Sequence, residues 1–201
     1  MQPLIYLASR SPRRCQLLEQ IGLPYRQLDV AVDETPLADE TPPDYVVRLA
    51  LHKAGTAHAS VMQAGDLPVL AADTAVVLDD MILGKPSDRN EGLAMLARLS
   101  GRTHRVYSGV ALVGRQTEFR LNVSEVSLRR ISPREAEAYW ASGEPHDKAG
   151  GYAIQGLGAI FVKELRGSYS GVMGLPLFET AELLQNAGIR LPRLQHPGSG
   201  G

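Results

Sequence analysis

The sequence has a single cysteine, Cys15, one tryptophan and only 5% aromatic residues. One cysteine excludes an internal disulfide, and the five histidines show no spacing typical of a structural zinc site. The apolar runs are too short to span a bilayer and no signal-peptide pattern opens the chain, so we expect a cytoplasmic protein without a membrane partner. With 21 basic and 22 acidic residues, no global field attracts nucleic acid, and any phosphate site must be local.

What the chain does contain is ordinary globular composition, with 44% hydrophobic and 21% charged residues in 201 positions. We predict one α/β domain over residues 1–192, followed by a disordered tail at 193–201 that carries no pattern. The sequence shows no internal repeat, no linker, and neither of the glycine-rich fingerprints of P-loop and Rossmann phosphate sites. A phosphate site in this chain would therefore belong to another class.

The most informative segment is a corner between a strand and a helix. Leu4–Ala8 is a buried strand, Ser11 is a suitable helix N-cap, and the helix ends at Gly22. Arg13 and Arg14 lie in the first turn, where the helix dipole alone favours acidic residues and the free N–H groups attract anions. Two arginines on a solvated first turn are the alternative, but the strand, hydroxyls and cap together favour a phosphate site.

Two charged residues stand on apolar faces further along. The helix predicted from Asp44 to Met62 places Lys53 on its buried stripe, where it either snorkels past the edge or meets an anion. The apolar strand Leu67–Ala72 is predicted to end at Asp73, with the pattern resuming at Ala75. Because ligands bind at the ends of central strands, Asp73 is a candidate catalytic base or metal ligand; the alternative is that it caps a turn.

The second half of the chain predicts an antiparallel pair, Thr103–Val113 and Phe119–Leu128. A change in the phase of the apolar residues of the second strand predicts a β-bulge near Ser124. The glycine-rich segment that follows contains Gln155, whose donor and acceptor suit the edge of a pyrimidine base. Shorter strands are predicted at Pro24–Val32 and Leu157–Val162, and further helices at 88–99, 132–143 and 177–187.

Six short motifs, taken in order, resemble those of the Maf family of nucleoside triphosphate pyrophosphatases: Ser9–Arg14, Ala72–Thr74, Gly84–Pro86, Leu99–His104, Asp147–Gly156 and Gly174–Pro176. The resemblance covers about residues 4–192. It implies a two-lobed α/β fold with a long mixed, twisted sheet around a central cleft, related to the inosine triphosphatase type. It also implies a homodimer.

The same resemblance assigns residues. The family's proton acceptor falls on Asp73, and its polar cleft positions fall on Ser9, Arg13, Glu34, Lys53, Lys85 and Gln155. At three selectivity positions the chain is similar to the branch acting on dTTP and UTP; these are Arg14, Thr74 and Gln155. The hypothesis that follows has a divalent cation, Mg²⁺ or Mn²⁺, held by Glu34 and Asp73 together with the triphosphate.

The expected activity is hydrolysis of dTTP and UTP to the nucleoside monophosphate and pyrophosphate, which would remove unwanted nucleotides from the pool. The alternative is a nucleotide-binding regulator of septum formation without hydrolysis, in keeping with the family's link to that process; the carboxylates at 34 and 73 count against it. A third possibility, RNA binding through surface arginines, lacks the interleaved aromatic residues and the net positive charge that it needs.

Overall fold

The computed structural model describes residues 2–62 and 67–191, so the tail predicted at 193–201 lies outside the described residues. The strands are β1 (Ile5–Ala8), β2 (Tyr25–Leu28), β3 (Val69–Leu78), β4 (Met81–Leu83), β5 (Thr103–Val113), β6 (Thr117–Leu128) and β7 (Val162–Arg166). The α-helices are α1 (Pro12–Gln20), α2 (Pro42–Val61), α3 (Arg89–Leu99), α4 (Pro133–Ala141), α5 (Tyr169–Met173) and α6 (Leu177–Asn186).

The strands form one mixed sheet in the order β2-β1-β3-β5-β6-β7, with β4 paired to β3. The β1 strand runs parallel to both β2 and β3, and every other recorded pair is antiparallel. The three central strands, β3, β5 and β6, have 10, 11 and 12 residues and carry most of the sheet. The predicted α/β fold with a long mixed sheet is therefore confirmed.

One face of the sheet is covered by α2. Ala50, Ala54 and Ala57 of this helix pack against small and branched side chains of β1, β3 and β5, such as Ala71 and Ala111. Alanine on both sides lets the helix axis approach the sheet closely. In the described chain, residues 2–62 and 67–191, no helix is long and apolar enough to cross a membrane.

The opposite face is covered by two separate clusters. Helices α1 and α6 pack over the start of β3, at Leu70 and Ala72, whereas α3 and α4 pack over its end, at Val76 and Leu78. Thr74 lies on the same face between the two clusters, because side chains of alternate strand residues share one face. This division gives the two lobes that the sequence predicted.

Two predicted strands have different bounds in the structure. The strand predicted at Pro24–Val32 is confined to β2, because β1, its partner among the described strands, ends at Ala8 opposite Leu28. The strand predicted at Leu157–Val162 is instead a 3-10 turn over Leu157–Phe161, and β7 begins at Val162. Glu144 produces this turn, since its carboxylate accepts hydrogen bonds from the N–H groups at 157 and 158, at 2.8 and 2.9 Å.

The bulge predicted near Ser124 is wrong. The β5–β6 ladder runs without a shift from Thr103↔Ser127 to Val113↔Thr117, and the only recorded irregularity of β6 lies at Ser127/Leu128 against β7. The phase of the pattern changes for another reason. Asn122, on the helix-covered face, bonds Glu179 of α6 at 2.6 Å, so polar residues occupy that face while the apolar Phe119, Leu121 and Val123 face outward.

Gly109 of β5 fixes the distance between α2 and the sheet. A Cβ atom at this position would lie 2.5 Å from the backbone oxygen of Val46 in α2. A helix backbone yields less readily than a side-chain end, so any side chain at 109 pushes α2 away from the sheet.

We therefore expect Gly109→Ala to lower the free energy of unfolding by about 1–3 kcal/mol, measured by urea denaturation. The matched control is Gly55→Ala, the same change within α2, where nothing lies within 4 Å of the new methyl. It should stabilise by about 0.5–1 kcal/mol because alanine is the better helix former. Equal effects of the two changes would contradict the role given to Gly109.

Candidate functional site

The middle of β3 has a strand partner on only one edge. One edge pairs with β5 without interruption from Val69 to Val77. The other edge pairs with β1 at Val69 and Leu70 and then with β4 from Val76 to Leu78. Among the described residues no strand fills the interval at 71–75, so the sheet itself contains an opening there.

Asp73 and Thr74 lie inside this opening. The prediction that the strand ends at Asp73 is wrong, because β5 supplies a continuous ladder in which Asp73 lies opposite Gly109 and Thr74 opposite Ser108. Successive strand side chains point to opposite faces, so Asp73 faces α2 and Thr74 faces the other layer. The site therefore lies at the unpaired edge of β3. The neighbouring residues Asp73 and Thr74 place one side chain on each face of the sheet there.

A cavity of about 560 Å³ surrounds the opening. Its walls come from the β1–α1 corner, the loop before α2, α2 itself, the β3 opening, the end of β4 and the glycine-rich segment before β7. All the residues that the sequence singled out line it: Ser9, Arg13, Arg14, Glu34, Lys53, Asp73, Thr74, Lys85 and Gln155. Positions far apart in the chain therefore meet in one place.

Lys53 lies between two carboxylates of this cavity. Its Nζ is 2.7 Å from Oδ1 of Asp73 and 2.6 Å from Oε1 of Glu34. The side chains of Lys53 and Asp73 are each only 11% exposed, whereas that of Glu34 is 54% exposed. Of the two possibilities for Lys53, the structure shows the ion-paired one, because the ammonium points into the cavity and not past its rim.

The two carboxylates differ in proton affinity. Burial raises the pKa of Asp73 above its ordinary value, and the charges of Lys53 and Arg14 only partly oppose this. Burial also acts on Glu34, but there the hydrogen bond and charge of Lys53, together with the charges of Lys85 and Arg14, outweigh it and lower the pKa. Glu34 therefore stays ionised, while Asp73 is the carboxylate better suited to accept a proton near neutral pH.

The β1–α1 corner is tied together by Ser9. Its hydroxyl oxygen accepts a hydrogen bond from the Ser11 N–H at 3.1 Å and another from Nη1 of Arg14 at 3.3 Å. Ser11 stands at the N-cap as predicted, but its side chain makes no capping hydrogen bond. The corner thus lines the cavity with the positive end of α1 and with the hydroxyl of Ser9.

The two arginines of the corner have different environments. Arg14 is half-buried, its Nε donates to the carbonyl oxygen of Gly174 at 2.8 Å, and desolvation of the guanidinium lowers its pKa. Arg13 is closer to the surface and its Nη1 lies 3.7 Å from Oδ2 of Asp147, which also pairs with Lys148. Arg14 is held in a fixed place, and Arg13 has only a long ion pair to exchange for a ligand.

The opposite wall carries Lys85 and Gln155. The backbone N–H of Gly150 donates to the carbonyl of Gly84 at 2.9 Å and so ties the glycine-rich segment to the end of β4. Gly150 has φ +70°, and a Cβ there would lie 2.9 Å from the side chain of Val76, so the close approach requires glycine. Gln155 itself is exposed at the cavity wall.

Sequence reasoning missed three residues that support the cavity. Ser108 is fully buried beside Thr74, and Tyr152 lines the cavity with its hydroxyl 2.7 Å from Nε2 of His104. Burial lowers the pKa of His104 to about 4, so this imidazole is neutral at pH 7. Ser108 and His104 interrupt an apolar strand, the same pattern that drew attention to Asp73, and that pattern could have found them.

Comparison of the sequence with known proteins identifies its family and its relatives. Residues 4–187 match the family model described as Maf-like protein. The chain is 54% identical to a dTTP/UTP pyrophosphatase of Alkalilimnicola ehrlichii, in an alignment that covers 96% of this chain and 96% of the relative. A dTTP/UTP pyrophosphatase of Nitrosomonas europaea is also 54% identical, over 92% of this chain and 95% of the relative.

Among solved structures, a nucleoside-triphosphatase or dITP/XTP pyrophosphatase of Mycobacterium abscessus is similar over 90% of this chain and 94% of its own. Its sequence identity is 18% and the TM-score is 0.43. The family match rests instead on the model that spans residues 4–187 and on relatives identical at more than half of their positions. The chain belongs to the Maf family.

Proposed function

We propose that this protein hydrolyses dTTP and UTP to the nucleoside monophosphate and pyrophosphate. The observation that carries the proposal is the buried carboxylate of Asp73, paired to Lys53, in a cavity that also holds Arg13, Arg14 and Lys85. A buried carboxylate with a raised pKa among several cations suits water attack on a polyphosphate. The proposal is supported by the 54% identity to proteins named dTTP/UTP pyrophosphatase.

Asp73 takes the proton of the attacking water in this proposal. Its burial raises the pKa, which makes the carboxylate a better base than an exposed aspartate. Arg13, Lys53 and Lys85 line the same cavity and neutralise the charge that develops on the departing pyrophosphate. The N–H groups of the β1–α1 corner add fixed partial positive charge.

A divalent cation, Mg²⁺ or Mn²⁺, fits the carboxylates of Glu34 and Asp73. Both approach one point in the cavity, where the ammonium of Lys53 now lies within 2.7 Å of each. Two carboxylates are a usual protein contribution to a magnesium site completed by substrate phosphates. No group of three or more histidine, cysteine or acidic residues that could hold a metal occurs in residues 2–62 and 67–191. Such a cation would supply further charge neutralisation.

Arg14, Thr74 and Gln155 select the base. The half-buried Arg14 and Thr74 lie near Gly174, where a Cβ would be 3.7 Å from both side chains, and Gln155 lines the same cavity. Hydrogen-bonding groups in fixed positions reject bases whose donors and acceptors do not match. These three side chains therefore favour uracil and thymine over purines.

Homodimerisation and a cytoplasmic location complete the proposal. Phe119, Leu121 and Val123 of β6 are 48%, 37% and 45% exposed and form one apolar stripe, which is the surface we assign to the second copy. A protein whose single cysteine is a free thiol suits a reducing compartment, and the cytoplasm, where nucleotide pools turn over, is one.

Asp73→Asn should reduce pyrophosphate release from UTP and dTTP by about 100- to 10,000-fold, because the general base is lost. The assay compares UTP, dTTP, ATP and GTP with magnesium or manganese, and circular dichroism checks that the fold is intact. Glu34→Gln is the control for metal binding: excess metal should restore part of its activity but none of that of Asp73→Asn. Turnover of Asp73→Asn near that of the wild type would refute the role of Asp73.

The pH dependence of kcat/KM should reveal the contact between Lys53 and Asp73. Since Lys53 lowers the pKa of Asp73, Lys53→Met raises it, and the acid limb of kcat/KM for the residual activity moves to higher pH. Lys85→Met is the matched control, because Lys85 acts on the pKa of Glu34 and should lower activity without moving that limb. An acid limb that stays in place in Lys53→Met would rule out Asp73 as the titrating base.

The surface given to the dimer is tested by Leu121→Lys. Sedimentation should show a dimer for the wild type and a shift to monomer for this variant, because a charge on the stripe is costly to bury. Leu157→Lys changes an exposed leucine outside β6 and should leave the assembly as it is. A wild-type monomer at all concentrations would exclude the dimer.

A further inference from the structure

Ser108 is a polar residue in the centre of an apolar strand. It is 0% exposed and lies directly opposite Thr74 in the β3–β5 ladder. Its hydroxyl oxygen is 2.7 Å from the carbonyl oxygen of Gly171 in α5 and 2.9 Å from Oγ1 of Thr74. The three groups form a chain that begins in the core and ends at the cavity wall.

The direction of the two hydrogen bonds follows from the number of protons. A carbonyl oxygen only accepts, so Ser108 donates its one hydroxyl proton to Gly171. The contact between the two hydroxyls then requires Thr74 to donate, since Ser108 has no second proton. The proton of Thr74 therefore points into the core, and its oxygen faces the cavity with lone pairs.

We infer that Ser108 is a specificity-determining positioning residue that makes Thr74 a hydrogen-bond acceptor toward the base. Uracil and thymine carry a proton on N3, whereas neutral cytosine carries a lone pair there. An acceptor on the protein attracts the first pair of bases and repels the third. This inference rests on the proposed function and deepens it, because it explains how the site distinguishes uracil from cytosine, two bases that match in shape.

The α5 segment keeps this arrangement in place. The carbonyl of Gly171 also accepts the N–H of Gly174 at 2.9 Å, and the carbonyl of Gly174 accepts Nε of Arg14 at 2.8 Å. One short helix thus orients both Thr74, through Ser108, and Arg14. Loss of the Ser108 hydroxyl leaves Gly171 with the Gly174 N–H as a partner, so it releases Thr74 without stranding a buried acceptor.

The experiment measures kcat/KM for UTP and CTP in the wild type, Ser108→Ala, Thr74→Val and the double variant. The wild type should prefer UTP, and Ser108→Ala should reduce the UTP-to-CTP ratio by roughly three- to tenfold, because the freed Thr74 hydroxyl can donate to N3 of cytosine. Thr74→Val removes the group that reads N3, so adding Ser108→Ala to it should not change the ratio further.

Ser127→Ala is the matched control. Ser127 forms a cross-strand hydroxyl pair in the β5–β6 ladder, with its Oγ 2.7 Å from Oγ1 of Thr103, and neither residue lines the cavity. This change should leave the ratio as it is in the wild type. A structural role of Ser108 would lower kcat/KM for both nucleotides equally, and an unchanged ratio in Ser108→Ala overturns the inference.

Binding of the products separates this inference from the proposed reaction. If the wild type releases pyrophosphate from UTP and CTP equally well, the reaction stands and the inference fails. If it hydrolyses neither, calorimetry with UMP and CMP decides: tighter binding of UMP that is lost in Ser108→Ala supports the inference although the reaction is absent. Equal binding of UMP and CMP by the wild type overturns it.

Discussion

The site depends on one ammonium group placed between two carboxylates. Lys53 comes from α2, Asp73 from β3 and Glu34 from the loop that precedes α2, so the contact joins three segments of the chain. Burial of Lys53 and Asp73 is tolerable only because each neutralises the other. The close approach of α2 that brings them together depends in turn on Gly109, which leaves room for the helix backbone. Packing of the core and placement of the Lys53–Asp73 ion pair are therefore one constraint.

A second constraint is the opening in the sheet. The β1 strand ends early and β4 begins late along the same edge of β3, which leaves the edge free around Asp73 and Thr74. Because neighbouring strand residues face opposite ways, Asp73 lies among the cations on the α2 side and Thr74 among the hydroxyls on the α5 side. In the function proposed above, this dipeptide places the group that accepts the proton on one side of the opening and the group that reads the nucleobase on the other.

Sequence reasoning succeeded where interactions between residues close in the sequence determine the local structure. The helix predicted at 132–143 is present as α4, which begins with a capping box of Ser132 and Glu135 whose two hydrogen bonds are both formed. It failed where contacts with residues remote in the sequence determine the local structure. The strand expected beyond Leu28 stops because β1 has ended, and the apolar pattern around Ser124 reflects the contact with α6 and not a bulge. In both cases the deciding neighbour is remote in the sequence.

The sequence by itself determined the α/β class and, through six short motifs, the family. It also singled out nine polar residues of the cavity; some of these, such as Lys53 and Asp73, stand out because charged side chains in apolar segments need a partner or a ligand. Only the tertiary structure decided how those residues are used. It paired Lys53 with Asp73 and Glu34, held Arg14 against Gly174, and brought Ser108 beneath Thr74. Proton affinity and hydrogen-bond direction depend on burial and on distances of a few ångströms, and these arise only when remote segments pack together.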